Sequence, residues 1–132
     1  MRTDFIREWV DALTSEEYQQ AQQQLRMSHL ADSNMVEHCC LGVACELGIK
    51  YGVVQRDGDE YCSVGVAELH DDPEITDWNS SVLPHGFWQW IGLEGGDPSI
   101  PGHGRLTKIN DDGESFENIA KLIKEAWLED QT

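Results

Sequence analysis

The stretch "EHCCLGVACELG", residues 37–48, is almost entirely apolar after its first two residues, so the fold has to bury that part. Between Cys39 and Leu47 only Glu46 is charged, and the other side chains are apolar or small. If residues 39–47 are helical, apolar side chains point in nearly every direction, and such a helix is normally surrounded by other elements. We therefore predict a central buried helix that is followed by Gly48 as its C′ residue.

Two amphipathic stretches are suited to cover that helix. Apolar residues recur at helical spacing near both ends of the chain, which predicts an N-terminal helix capped by Thr3 or Asp4 and a C-terminal helix capped by Ser115. The N-terminal stripe consists of Phe5, Ile6, Trp9, Val10 and Leu13, and the C-terminal stripe of Phe116, Ile119, Ala120, Ile123 and Trp127. A further short helix is predicted from Pro84 to about Gly92.

The remaining segments complete a mixed fold. "TSEEYQQAQQQLRM" predicts a second helix, "HLADSNMVEH" a polar loop and "EGGDPSIPGHG" a glycine-rich loop. Residues 53–55 and 61–64 predict a small hairpin around the Asp57-Gly58 turn. Because 132 residues is close to the commonest size of one domain, we predict a single domain over residues 1–132. Its class is a mostly helical α+β fold, with the central helix packed by the terminal helices beside the hairpin.

The charge balance limits the partners. The chain has 25 Asp and Glu against 9 Lys and Arg, a net charge of −16, which repels phosphate backbones and argues against direct nucleic-acid binding. A rigid acidic protein can instead occupy the basic groove of a nucleic-acid-binding protein, because carboxylates replace phosphates there. The candidate partner-binding residues are Asp57, Asp59, Glu60, Asp71, Asp72, Glu74 and Asp77.

The apolar runs are too short for a membrane helix of roughly 20 residues, and "MRTDFIREWV" lacks the apolar region of a signal peptide. We therefore expect an intracellular protein that does not bind membranes. In a reducing compartment its four cysteines are expected to be thiols or metal ligands rather than disulfides.

The clustered cysteines leave three interpretations open. Cys39 or Cys40 at a helix start is placed like the nucleophile of a cysteine hydrolase, with His85 or His103 as the base and Asn110 or Asp111 as the orienting group. A zinc site would combine His38, Cys40, Cys45 and Cys62, with His70 nearby, but the spacing H-x-C-x₄-C does not match the usual close pairs. Burial as small core residues is the simplest interpretation, and we expect no cofactor.

A small-ligand site is a separate possibility. The stretch from Trp88 to Arg105 combines aromatic rings, glycines and a cation that can receive an anion. Trp88, His103 and Arg105 are the candidate ligand-binding residues, placed between protomers if the protein associates, and the oligomeric state is left open.

Four stretches together resemble a family of small acidic bacteriophage and prophage proteins with a Cys-Cys-Leu-Gly-Val motif. They are "WVDALTSEEYQQAQQQLR", "CCLGVACELG", "LPHGFWQWIGL" and "LTKINDDGESFENIAKLI". The matching residues are Trp9, Leu13, Tyr18, Cys39, Cys40, Leu41, Gly42, Leu83, Pro84, Trp90, Gly92, Asn110, Asp111, Phe116, Ile119 and Ala120. The resemblance implies a phage setting and the host cytoplasm, without a particular activity.

These observations favour a phage-encoded acidic binding protein that inhibits a host factor with a basic surface, as an anti-CRISPR-like inhibitor or nucleic-acid mimic. The alternative is a protein that sequesters a small ligand or a nucleotide signal. A cysteine hydrolase is the third hypothesis, and an enzymatic activity is the less favoured class.

Overall fold

The computed structural model describes residues 2–15, 18–21, 24–29, 32–64 and 78–128, with the backbone only for residues 28, 29 and 32–35. The helices are α1 (Thr3–Thr14), α2 (Cys40–Lys50), α3 (His85–Ile91), α4 (Leu106–Asp111) and α5 (Phe116–Trp127). The strands are β1 (Gln19–Gln20), β2 (Arg26–His29), β3 (Asp32–His38), β4 (Val54–Asp57), β5 (Glu60–Ser63), β6 (Ser99–Ile100) and β7 (Gly104–Arg105). None of the helices within these ranges is long and apolar enough to cross a bilayer.

The strands form three small sheets. β3 lies in the centre of the first sheet, parallel to β1 on one side and antiparallel to β2 on the other. β4 and β5 form a hairpin, and so do β6 and β7. The sheets therefore flank the helical core instead of forming a layer through it.

The predicted mostly helical α+β fold is confirmed. From Cys40 to Gly48 only Glu46 of α2 is not buried, and the Trp9 indole of α1 donates a hydrogen bond of 2.8 Å to the Cys40 carbonyl oxygen. α1 packs against both α2 and α5, so the two terminal helices meet each other and α1 reaches the central helix. Burying one large aliphatic side chain contributes about 1.5–3 kcal/mol, so α2 is a main source of stability.

Two of the predicted helix ends, at Ser115 and Gly92, are confirmed. Ser115 caps α5, since its hydroxyl oxygen accepts a hydrogen bond of 3.2 Å from the Asn118 backbone N–H. Gly92 ends α3 in the left-handed region with φ 99°, as a helix-ending glycine does. The prediction for α1 is wrong by one or two positions, because the residue before the helix is Arg2 and no side chain caps it.

The predicted second helix over residues 14–27 and the polar loop after it are wrong in the described part. The chain is extended there, and its backbone bonds with partners that are distant in sequence. The Ala21 N–H donates to the His38 carbonyl at 2.7 Å, and the Leu25 N–H donates to the Ser80 carbonyl at 2.8 Å. Ala21 and Leu25 are buried, and their backbone hydrogen bonds to distant segments override a weak helix propensity.

Gly48 is not the C′ residue of α2, because the helix continues to Lys50. A Cβ at Gly48 would come within 2.6 Å of the Val54 side chain and 2.8 Å of the Phe87 ring. The glycine therefore serves close packing inside the helix and does not end it.

The β4–β5 hairpin is confirmed around Asp57 and Gly58, and Gly58 takes a φ of 61° in the turn. The glycine-rich segment was predicted as a loop only, yet it contains the short β6–β7 pair. The helix α4 before the Asp112-Gly113 turn was also not predicted, since six residues carry too little periodicity.

Candidate functional site

The start of α2 forms a junction at which three distant segments meet, and we call Leu25, Cys39, Cys40, Gly42 and Asn110 the α2 junction. The Cys39 N–H donates to the Leu25 carbonyl oxygen at 3.2 Å. A Cβ at Gly42 would overlap that same carbonyl oxygen, so only glycine lets the two backbones approach. The "CCLGV" sequence is thus explained by backbone packing at this point.

Asn110 is fully buried and satisfies backbone groups of the junction. Its Oδ1 accepts hydrogen bonds from the Cys40 N–H at 3.2 Å and from Gln20 Nε2 at 3.0 Å. Its Nδ2 donates to the Ala21 carbonyl oxygen at 2.7 Å. The amide therefore occupies the start of α2, where unpaired N–H groups need an acceptor. These contacts engage Asn110 in joining α4 to α2 and β1.

The thiols of the junction have raised pKa values, whereas the thiol of an activated nucleophile has a lowered pKa. Burial raises the pKa of Cys39 to about 11, against a usual value of 9.0, although the N–H groups of Gly42 and Leu41 favour the thiolate. Burial also raises the pKa of Cys40. Both side chains are therefore neutral thiols at neutral pH.

Cys39 borders a cavity of about 200 Å³ whose other lining residues are Ser81, Val82, Thr107 and Asp111. Of the residues predicted for a hydrolase, only Asp111 shares this cavity with Cys39, and no described histidine lines it. His85 instead lies beside the Trp88 ring at 4.9 Å between ring centres. The structure does not assemble the predicted nucleophile, base and orienting group around Cys39.

The four residues predicted as zinc ligands are not gathered into a metal site. Within the described ranges, no three or more His, Cys, Asp or Glu side chains are grouped so that they could hold a metal ion. Cys39, Cys40, Cys45 and Cys62 are buried thiols that form no disulfide with one another. His38 lies near Glu46, and His70 falls outside the described residues.

The predicted acidic surface is described in part, as the tip of the β4–β5 hairpin, and we call Asp57, Asp59 and Glu60 the acidic tip. Asp57 and Glu60 are exposed and directly opposite each other in the antiparallel register. Asp59 pairs with Arg26 at 2.6 Å, and the same guanidinium donates to the Gly58 carbonyl at 3.3 Å. Arg26 therefore ties the turn to the first sheet. Asp71, Asp72, Glu74 and Asp77 lie outside the described residues.

The glycine-rich segment lines a surface cavity of about 590 Å³, which we call the loop cavity. Arg105 is one of its lining residues, whereas Trp88 and His103 are not. Trp88 packs half-buried against the core, and His103 borders a different cavity together with Ile109 and Asp112. The aromatic residue at the loop cavity is Trp127, which the sequence placed only in the core stripe of the last helix.

Sequence reasoning missed a partly buried polar cluster around Glu46. The Tyr61 hydroxyl donates to Glu46 Oε2 at 2.6 Å, Arg56 approaches the same oxygen at 3.4 Å, and His38 Nε2 lies 3.9 Å from it. Burial lowers the pKa of His38 below 6.5, and the nearby Glu46 opposes that shift. Neither ring nitrogen of His38 has a hydrogen-bond partner among the described residues. The residues come from four elements, β3, α2, β4 and β5, so no local spacing reveals the cluster.

These features define a small α+β protein with a closed polar junction inside, an acidic tip on one hairpin and an open polar cavity at a loop. The chain belongs to the family described as "Domain of unknown function (DUF8296)", whose sequence model matches residues 1–127. No curated protein and no solved structure matches the chain.

Proposed function

We propose that this protein is a phage-encoded binding protein that inhibits a host factor, and that the acidic tip is the surface that contacts a basic partner. The host factor would be one that handles nucleic acid, such as a defence nuclease, because a nucleic-acid groove is basic. The phage setting rests on the sequence resemblance.

The observation that carries the proposal is the like-charged pair Asp57 and Glu60. Two carboxylates directly opposite each other across a hairpin destabilise the strand pair. Neither has a basic partner among the described residues, so the fold gains nothing from their charge. Binding to a cationic surface would explain why both carboxylates are present.

The acidic tip is also held in a defined position. The bond of 2.6 Å between Arg26 and Asp59 joins a side chain that is 16% exposed to one that is 34% exposed. An ion pair in such partial burial is screened less by salt than a fully exposed one. Since Arg26 is engaged with Asp59 and Gly58, the carboxylates of Asp57 and Glu60 are presented in advance of binding, which reduces the entropy that binding costs.

The charge of the rest of the chain favours the same partner. Residues 65–77 contain five acidic residues and no Lys or Arg, and they follow the hairpin directly. Among the cations, Arg56 is paired with Glu46, and Arg2 covers the Trp90 ring at 4.3 Å. These cations are occupied within the fold, so they do little to neutralise the acidic side.

The experiment is a capture from lysate of the host bacterium with two variants of equal charge. Asp57→Asn with Glu60→Gln neutralises the exposed pair, and Glu117→Gln with Glu125→Gln removes the same charge from the exposed side of α5. Wild type and the α5 variant should capture a basic protein that is released by salt, because exposed charges are screened within about 10 Å at 0.1 M salt. The tip variant should capture at least about tenfold less.

Two results would contradict the proposal. One is the absence of any captured protein at low salt. The other is equal capture by the tip variant and the α5 variant, since the net charge would then act without the acidic tip.

A further inference from the structure

The loop cavity has the size of a small-molecule site and lies apart from the acidic tip. A volume of about 590 Å³ falls in the range of roughly 300–1,000 Å³ that is common for small-molecule sites. The cavity lies between the glycine-rich loop, the β7 residue Arg105 and the end of α5. It is separate from the acidic tip in the residues that form it.

One wall of the cavity is suited to an anion. Arg105 is exposed, and no described residue forms an ion pair or a side-chain hydrogen bond with it, although the chain carries a net charge of −16. In the loop, the backbone N–H groups of Glu94, Gly95 and Gly96 donate to no described acceptor. Successive free N–H groups beside a guanidinium form a site for a phosphate or carboxylate.

A second wall is suited to an aromatic ring. Trp127 is half-buried and stacks on Trp9 with 6.3 Å between ring centres and 22° between planes, and it also lines the loop cavity. Because the contact with Trp9 holds the indole in place, a ligand ring can stack on it at a small entropic cost.

The carboxylates of the cavity limit how much negative charge a ligand carries. Asp97 lines it and accepts hydrogen bonds from the Thr107 N–H at 3.0 Å and the Thr107 hydroxyl at 2.5 Å. Glu94 is exposed at the same cavity. One guanidinium beside two carboxylates can balance only a single anionic group of a ligand. Amino or hydroxyl groups of the ligand can donate hydrogen bonds to the carboxylates.

We propose that the loop cavity binds a small aromatic ligand with one anionic group, of the class of nucleoside monophosphates. The phosphate contacts Arg105 and the loop N–H groups, the base stacks on Trp127, and a hydroxyl or amino group donates to Glu94. This site does not depend on the acidic tip, so either proposal can fail alone.

The test is a titration of the ¹⁵N-labelled full chain, followed through the backbone amide signals of Gly95 and Gly96. The probes are adenosine monophosphate, inorganic phosphate, adenosine and adenosine triphosphate. The monophosphate should shift both signals and bind at least about tenfold more tightly than phosphate or adenosine, since each alone fills one wall. The triphosphate should bind more weakly than the monophosphate because the carboxylates repel the added charge.

A matched pair of variants completes the test. Arg105→Gln should weaken binding of the monophosphate by about tenfold or more, the loss of one charged hydrogen bond. Arg7→Gln removes an exposed cation that does not line the cavity, and it should leave binding within about twofold. The proposal is overturned if the monophosphate leaves both amide signals unmoved, if phosphate binds equally well, if the triphosphate binds as tightly, or if the two arginine variants behave alike.

Discussion

The α2 junction and the glycine-rich loop of residues 92–101 both place glycines beside backbone N–H groups. The two regions differ in whether those N–H groups have acceptors. At the junction, the Cys39 and Cys40 N–H groups have acceptors within the chain, and Gly42 lies against a carbonyl oxygen. In the loop, the Gly95 N–H has no described acceptor, and a Cβ at Gly95 would meet no atom within 4 Å. Polar groups that the fold satisfies stabilise it, whereas those it leaves open are available to ligands.

The largest expected effect distinguishes the two glycines. Gly42→Ala should lower the free energy of unfolding by about 3 kcal/mol or more, because the added Cβ overlaps the Leu25 carbonyl oxygen and backbone cannot yield as a side chain does. Gly95→Ala should change it by less than about 0.5 kcal/mol. Urea unfolding followed by circular dichroism measures both. Similar costs at the two positions would remove the distinction between a closed junction and an open loop.

A smaller effect is expected from the amide that closes the junction. Asn110→Ala should cost about 2–3 kcal/mol of unfolding free energy, because the Cys40 N–H and the Ala21 carbonyl oxygen lose their partner. Asn118→Ala is the control, since its exposed amide donates a hydrogen bond to the Glu114 carboxylate at 3.0 Å, and it should cost less than about 0.5 kcal/mol. If Asn110→Ala were as mild as the control, Asn110 would be free for a functional role.

The smallest expected effect is the pH dependence of the stability that the Cys39 thiol contributes. The folded pKa of Cys39 is about 11 and the usual value is 9.0, so the folded state holds the thiol proton more firmly than the unfolded chain. The resulting stabilisation is complete below pH 9.0 and is lost as the pH rises to about 11. Alkylation of folded Cys39 by iodoacetamide should therefore rise toward that upper pH, with the urea-unfolded chain as the control.

That measurement also bears on the hydrolase hypothesis. Peptide mass spectrometry assigns the alkylated position among the four cysteines. Fast modification of folded Cys39 at neutral pH would show an activated thiolate and would overturn the interpretation of the junction as structural.

Part of the fold was predictable because its cause is local. The residues of α2 from Cys40 to Gly48 other than Glu46 are buried as the near-absence of charge required, and the apolar stripes of α1 and α5 carry their own periodicity. Ser115 and Gly92 mark helix ends by chemistry that acts over a few residues. The Asp57-Gly58 turn likewise predicted its hairpin.

The sequence identified individual residues of the candidate sites, but not which residues lie together. Arg105 and the acidic tip follow from residue type, since a cation in a glycine-rich stretch and acidic residues around a turn are visible in the sequence. Trp127 was recognised only as a core residue, because its place at the loop cavity depends on how α5 packs against the rest of the chain. The cluster around Glu46 was missed because its members come from four separate elements.

The sequence by itself therefore determined the buried central helix, the amphipathic terminal helices, the hairpin and the strongly acidic character, since periodicity, capping and charge act over short distances. Only the tertiary structure decided that residues 19–20, 26–29 and 32–38 form strands and that Asn110 closes the start of α2. It also decided that Arg105 and Trp127 border one cavity. These outcomes depend on hydrogen bonds and packing between segments far apart in the chain, such as the bond from Leu25 to Ser80, and local propensity is too weak to specify them.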